Sequence, residues 1–190
     1  MSKGREKPSL MTLSRELVHP SEAILFSDEL IAGSDRTCAI LGAAIVDQVL
    51  VFQLQGAMRE LTKKEFLELF FDNRALLQTM ASRIDLSYVL KLNEKHERDQ
   101  LHSVRRIRNA FAHATRPISF EHHLIKKECA KLSDNYLAKD SLIAHLPESR
   151  RRFIGLCTGI YGHFHKQAKK SDNYDLTVKY LKSLDFSPTA

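Results

Sequence analysis

A run of apolar residues at helical spacing, between residues 35 and 59, is the clearest pattern in the chain. The residues that share this helical face are Cys38, Leu41, Ile45, Val49 and Phe52. Ser34 is a favourable N-cap residue, and Asp35 in the first turn suits the positive end of the helix dipole. The pattern predicts a long central helix over about 35–59.

Capping and breaking residues divide the rest of the chain into shorter helices. Thr62 and Glu65 have the spacing of a capping box. Asn93 is a favourable N-cap, and Pro117 ends the helix before it. The predicted helices cover 20–31, 63–71, 77–90, 94–114, 121–132 and 147–170, and no stretch alternates as a half-buried strand would.

These patterns predict an all-α fold, a single-domain bundle of about six to eight helices around the central helix. Residues 20–170 would form the domain, 1–19 a flexible basic arm and 171–190 a partly ordered tail. Apolar residues make up 43% of the 190 residues and charged residues 27%, as in soluble globular proteins. With no apolar run of about 18 residues and no apolar signal core, we expect a cytoplasmic protein without a membrane partner.

Metal and cofactor chemistry has little support in the sequence. The motifs CxxC, HExxH, GxGxxG, GxSxG and the P-loop pattern do not occur. Cys38, Cys129 and Cys157 are isolated, which favours buried reduced thiols. The adjacent histidines at 122–123 and the pair at 163 and 165 do not share a helical face. We therefore expect no metal site and no cofactor.

The predicted helix over 94–114 has an unusual arrangement of charge. Its apolar face consists of Leu101, Val104, Ile107, Phe111 and Ala112. Arg105, Asn109 and His113 recur at intervals of four and form a polar stripe. Arg108 falls among the apolar residues, where an unpaired charge is costly, and so we expect it to face inward and pair with a carboxylate.

The expected partner of Arg108 is an inward carboxylate on another helix. Asp35, Asp47 and Asp85 are candidates, and the first two are favoured because both lie on the central helix. We expect a partly buried polar network that links three helices and consists of Asp35, Arg36, Asp47, Arg83 and Arg108. A purely structural ion pair is the alternative to a functional role for Arg108.

The net charge of +6 is concentrated on residues 91–116 and on the last predicted helix. The candidate anion-binding residues there are Arg105, Arg106, Arg150, Arg151 and Arg152. Solvated helix ends are the alternative interpretation. Residues 150–152 lie near a predicted helix N-terminus, where positive charge is unfavourable, and this favours an anionic partner or a nearby acidic surface.

Five segments occur in an order that is typical of one bacterial family. They are SDRTCAILGAA at 34–44, LFFD at 69–72, ASRIDL at 81–86, RRIRNAFAH at 105–113 and ISF at 118–120. Together they resemble the mannitol operon repressor (MltR) family, which implies an all-helical domain and a role in bacterial transcriptional regulation. One departure is Lys91, which stands where the family has the glycine of Leu-Gly-Leu.

Arg108 and His113 also resemble the Arg-x4-6-His pattern of HEPN domains. That resemblance implies metal-independent RNA cleavage, with His113 as acid or base, Arg108 holding the phosphate and Asn109 in support. On an unbroken helix the side chains of Arg108 and His113 lie about 140° apart. They would converge only if the helix distorts before His113 or if two chains meet in a dimer. Otherwise His113 is simply a basic residue at the negative end of a helix dipole.

The sequence favours a regulator over an enzyme. We expect a repressor-like transcriptional regulator of the MltR family that acts by protein–protein contact or by weak nucleic-acid contact, because no helix-turn-helix is evident. A HEPN-type ribonuclease is the alternative, and an interaction module without a nucleic-acid role is the second alternative. The expected partners are a regulatory protein or a nucleic acid, and a second copy of the chain is a further candidate.

Overall fold

A computed structural model describes residues 24–72, 74–135 and 142–168. Within these residues the chain forms seven helices and no strand, so the predicted all-α bundle is confirmed. The helices are α1 (Ile24–Ala32), α2 (Asp35–Ala57), α3 (Lys63–Phe70), α4 (Met80–Val89), α5 (Lys95–His113), α6 (His123–Cys129) and α7 (Glu148–Ala168). The predicted arm at 1–19 and tail at 171–190 lie outside the described residues.

Helix α2 is the central element, as its apolar periodicity predicts. Ser34 caps it by accepting a hydrogen bond from the Thr37 amide at 3.1 Å. The helix packs against α1, α4, α5 and α7. It is long and apolar enough to cross a membrane by composition, but 67% of its most apolar window is buried inside the bundle. Burial on several sides is what a core helix requires, and it explains why α2 is apolar nearly all round.

The apolar side chains form two clusters that meet along α2. The first joins the N-terminal half of α2 to α5, α6 and α7, and includes Phe111, Phe120 and Phe153. The second joins the C-terminal half of α2 to α3, with Phe66 and Phe70 at its centre. Residues of α4 and α5 both belong to the first cluster, among them Ile84 and Val104.

The three cysteines are free and buried, as the sequence predicts. Burial raises the pKa of the Cys38 thiol to about 11, although Arg150 acts in the opposite direction. Burial likewise raises the pKa of Cys129 to about 12. Because the thiolate is the reactive form, these side chains behave as small apolar core residues.

Asn93 differs from its predicted role as the N-cap of α5. Its side chain is buried, where Nδ2 donates to Ser87 Oγ at 2.8 Å and Oδ1 accepts from Gln53 Nε2 at 2.9 Å. Glu94 precedes α5 instead, and its amide donates to Glu97 Oε2 at 2.8 Å. The buried amide of Gln53 needs a partner, and Asn93 serves that need in place of capping.

The turn after α4 has the hydrogen bonds of a Schellman motif. The Leu92 amide donates to the Ser87 carbonyl and the Lys91 amide to the Tyr88 carbonyl, each at 2.9 Å. Lys91 has a φ of 59°, in the left-handed region that favours glycine. A lysine therefore adopts the backbone conformation that glycine most often takes at this position of a Schellman motif.

Candidate anion-binding cleft

Arg150 lies inside the bundle, and this corrects the prediction that it binds an external anion. Its Nη1 donates to Asp35 Oδ1 at 3.0 Å, and its Nη2 donates to the carbonyls of Leu30, Ile31 and Gly33 at 3.0, 3.1 and 2.6 Å. These carbonyls end α1, where the helix dipole is negative. The cost of a cation in the first turn of α7 is thus offset by internal partners.

Asp47 and Arg83 form a second ion pair, between α2 and α4. Arg83 Nη1 donates to Asp47 Oδ2 at 2.7 Å. Its Nε and Nη2 donate to the carbonyls of Leu77 at 2.8 Å and Phe70 at 3.1 Å. The Arg83 side chain is only 6% exposed. Of the predicted network, only the pair Asp47–Arg83 forms, while Asp35 pairs with Arg150, which the prediction did not include.

The prediction that Arg108 is buried and paired is wrong. Its side chain is exposed, and its Nη1 donates to Asn109 Oδ1 at 3.0 Å. Within the described residues no carboxylate forms a salt bridge with it. The reason lies on α2, where small side chains at Ala43 and Ala44 face this part of α5 and leave an open cleft. An arginine at the edge of the apolar face therefore remains solvated.

Arg36, a member of the predicted network, and Asp85, a candidate partner of Arg108, also differ from their predicted roles. Arg36 is exposed, and its Nη2 donates to the carbonyl of Ala114 at 2.7 Å, which caps the end of α5. Asp85 accepts from Arg98 Nη2 at 2.6 Å and lies 3.2 Å from His102 Nε2. Neither residue joins the pairs of α2.

The other predicted anion-binding arginines fall into two groups. Arg106 pairs with Glu128 at 2.7 Å. Arg152 pairs with Glu148 at 2.9 Å and with Asp134 at 3.7 Å. Arg105 and Arg151 form no ion pair with any residue in the described part of the chain. Of these two, Arg105 lines the cleft that also contains Arg108.

The cleft has a volume of about 520 Å³ and lies between α2, α4 and α5. Its wall on α5 consists of Arg105, Arg108 and Asn109. The residues at the beginning of α4 form a second wall, namely Gln78, Thr79, Met80 and Ala81. The wall on α2 consists of Ile40, Ala43, Ala44 and Asp47. The wall on α5 is thus polar, the wall on α4 is mixed and the wall on α2 is mostly apolar.

The N-terminus of α4 adds positive potential to the cleft. Thr79 accepts from the amide of Ser82 through Oγ1 at 3.1 Å and from the amide of Arg83 through its carbonyl at 3.2 Å. The amides of Met80 and Ala81 have no acceptor among the described residues. Free amides and the positive end of a helix dipole attract anions. Sequence reasoning missed this wall because it began the helix at Leu77, although Thr79 is a typical N-cap residue.

Asp47 is the one carboxylate that lines the cleft, within the described residues. Its side chain is 30% exposed, and Oδ1 is buried without a hydrogen-bond partner. Burial raises the pKa of Asp47, and the nearby guanidinium groups of Arg83 and Arg108 only partly oppose this effect. Since Arg83 neutralises Asp47, the charge of Arg105 and Arg108 remains in excess.

His113 does not line this cleft. It is exposed in the last turn of α5, and the helix is unbroken through it. The side chains of Arg108 and His113 therefore point about 140° apart within one chain. The convergence that a ribonuclease would need by distortion of α5 is absent from this structure.

The described residues contain no group of three or more His, Cys, Asp and Glu side chains that could hold a metal ion. Comparisons with protein-family models, with curated proteins and with solved structures give no match to this chain. The resemblances to the MltR family and to HEPN domains stay predictions from the sequence.

Proposed function

We propose that this protein is a cytoplasmic, repressor-like regulator of the MltR type that acts by binding, and that the cleft between α2, α4 and α5 recognises an anionic group. The observation that carries the proposal is the pair of arginines, Arg105 and Arg108, which line one cleft without a carboxylate partner there. Most other basic residues of α5 are paired, including Lys95 with Asp99 and Arg106 with Glu128.

The cleft is suited to an oxyanion such as phosphate or carboxylate. Guanidinium groups bind these groups in a bidentate, charge-assisted manner. The hydrogen bond from Arg108 to Asn109 orients one guanidinium in advance. The partly enclosed space lowers the local dielectric constant and so strengthens the attraction. Phosphates of a nucleic acid and acidic side chains of a regulatory protein share this chemistry.

Direct binding measurements test the proposal. Isothermal titration with inorganic phosphate should give saturable binding to the wild type, and the double variant Arg105→Ala/Arg108→Ala should bind at least about ten-fold more weakly. Arg116→Ala is the matched control, because Arg116 is exposed just beyond α5 and outside the cleft. Equal loss in the control, or no binding by the wild type, would contradict the proposal.

The same variants distinguish the two sources of the anion. A labelled oligonucleotide and a labelled acidic peptide are each titrated at several salt concentrations. Binding of the oligonucleotide that weakens steeply with salt and depends on Arg105 and Arg108 would identify nucleic acid as the partner. Binding of the peptide alone would identify a protein, and the interaction-module alternative would then apply.

A HEPN-type ribonuclease is the second candidate function. It is favoured by one observation, that Arg108 and Asn109 are hydrogen-bonded side by side in the cleft. Because His113 points away, its imidazole would have to come from a second copy of the chain. Incubation with labelled RNA in the presence of EDTA tests this function. Cleavage by the wild type that is lost in His113→Ala would replace the binding proposal with the ribonuclease.

A further inference from the structure

We infer that the ligand of this cleft is a small amphiphilic anion, a phosphate or carboxylate that carries a short apolar group. The inference rests on the proposed function, since it concerns the same cleft. The proposed function accounts for the arginines of the wall on α5 and assigns no role to the apolar wall on α2. That wall consists of Ile40, Ala43 and Ala44, and Met80 lies next to it at the beginning of α4.

Ile40 and Ala44 are apolar residues of α2 that burial in the bundle does not explain. Most of α2 is apolar because it is covered by other helices, but Ile40 is 39% exposed and Ala44 is exposed as well. The two residues lie four positions apart, and therefore on one face of the helix, and both line the cleft. Other exposed large apolar residues of the described part, such as Val89 and Leu124, lie outside it. Ile40 and Ala44 thus form an apolar strip that a ligand in the cleft can contact.

Two contacts show that α2 and α5 run antiparallel, side by side. Near the beginning of α2, Arg36 Nη2 donates to the carbonyl of Ala114, just after α5, at 2.7 Å. Near the end of α2, Gln53 Nε2 donates to Oδ1 of Asn93, just before α5, at 2.9 Å. The first half of α2, with its apolar strip, therefore lies beside the last half of α5, with the two arginines of the cleft. A ligand between the two walls meets cations on one side and apolar side chains on the other.

An inorganic oxyanion or a purely apolar ligand would satisfy only one of these walls. The oxyanion would occupy a small part of the volume of about 520 Å³, which is that of a small-molecule site, and would leave water against the apolar strip. Displacement of that water by apolar surface is favourable. A purely apolar ligand would instead desolvate Arg108 without giving it a partner, which is costly. A ligand with an anionic head and an apolar tail satisfies both walls, and the flexible side chain of Met80 adapts to the shape of the tail.

A series of alkyl phosphates tests the inference without any mutation. Isothermal titration of the wild-type protein compares methyl, ethyl, propyl and butyl phosphate, which share one anionic head and differ only in chain length. Each methylene group that becomes buried should increase the affinity about three- to four-fold, until the chain extends beyond the apolar strip. The compound 2-methoxyethyl phosphate is as long as butyl phosphate but has an ether oxygen within its chain. It should bind more weakly than butyl phosphate, because burial of the ether oxygen is unfavourable.

The variant Ile40→Ser tests whether the apolar strip is responsible. Because Ile40 is exposed and makes no part of the buried core, the variant should fold and should bind methyl phosphate as the wild type does. The gain in affinity from methyl to butyl phosphate should fall at least about three-fold. Val89→Ser is the matched control, because Val89 is also β-branched, is 70% exposed and lies outside the cleft. This control should keep the full gain.

The outcomes separate this inference from the proposed function. Equal affinity of the wild type for methyl and butyl phosphate, or for butyl and 2-methoxyethyl phosphate, would overturn the inference and leave the anion-binding cleft in place. An equal loss of the gain in Val89→Ser would overturn it as well. Failure of every compound to bind, inorganic phosphate included, would overturn both. The comparison of wild-type affinities decides the inference even if Ile40→Ser does not fold.

Discussion

The guanidinium of Arg150 and the carboxylate of Asp35 lie 3.0 Å apart, although 115 residues separate them in the sequence. Asp35 also accepts from the amide of Phe120 at 2.9 Å through its other oxygen. The pair therefore ties the beginning of α7 to the end of α1, the beginning of α2 and the loop before α6. Such a junction fixes how the helices meet around the first apolar cluster.

Removal of Arg150 should strongly destabilise the bundle. The variant Arg150→Ala leaves Oδ1 of Asp35 and three carbonyls without the arginine donor, and loss of one partner of a buried ion pair costs about 3–5 kcal/mol. Urea denaturation measures the change in the free energy of unfolding. Arg151→Ala is the control, because Arg151 has no ion pair within the described residues, and a similar loss in both variants would argue against this role.

Replacement of Lys91 by glycine should stabilise the protein. A non-glycine residue in the left-handed region costs about 1–2 kcal/mol, and the larger unfolded-state entropy of glycine offsets part of the gain. We expect a net increase of about 0.5–1 kcal/mol in the free energy of unfolding. Lys91→Ala keeps the unfavourable φ and should give no such increase. A stabilisation of equal size in both variants would mean that φ at this position is not the cause.

Stability at acidic pH should depend on Asp85. Hydrogen bonds from Arg98, together with His102, hold the pKa of Asp85 below its ordinary value of 3.8. A carboxyl with a lowered folded-state pKa contributes stability above the ordinary value, and that contribution is lost as the pH falls through the folded-state pKa. Asp85→Asn should therefore lower Tm at neutral pH and lose this difference in acid. A difference that stays constant with pH would contradict the assignment.

The three cysteines should resist modification in the folded protein. Burial holds the pKa of Cys38 at about 11 and that of Cys129 at about 12, so that little thiolate exists at pH 8. A thiol-specific chromogenic reagent should detect no rapid reaction in native protein and three thiols in guanidinium chloride. Rapid modification of one thiol under native conditions would show that the first cluster opens locally.

Local signals in the sequence predict most of the fold but only part of the cleft. Ser34, Thr62 and the spacing of apolar residues act within one or two turns, so they locate α2 and α3 closely. The buried position predicted for Arg108 is wrong because periodicity describes only its own helix, whereas Ala43 and Ala44 on α2 determine whether that face is covered. The exposed position predicted for Arg150 is wrong because its partners lie on α1 and α2, far away in the sequence.

The turn after α4 shows a second limit of sequence reasoning. Lys91 lacks the sequence signal of a left-handed turn, yet tertiary packing of Leu92 in the second cluster holds the backbone in that conformation. Packing between elements that are distant in the sequence therefore determines both the left-handed backbone conformation of Lys91 and the opening of the cleft beside Arg108.

Nuclear magnetic resonance of the protein titrated with inorganic phosphate tests the anion-binding cleft most directly. We expect shifts of the Nε resonances of Arg105 and Arg108 and of the backbone amides of Met80 and Ala81, and these shifts should saturate together. Resonances of exposed basic residues outside the cleft, such as Arg116 and Lys127, should move little. Shifts spread evenly over the exposed basic residues, or no saturable shift at these four residues, would contradict the account.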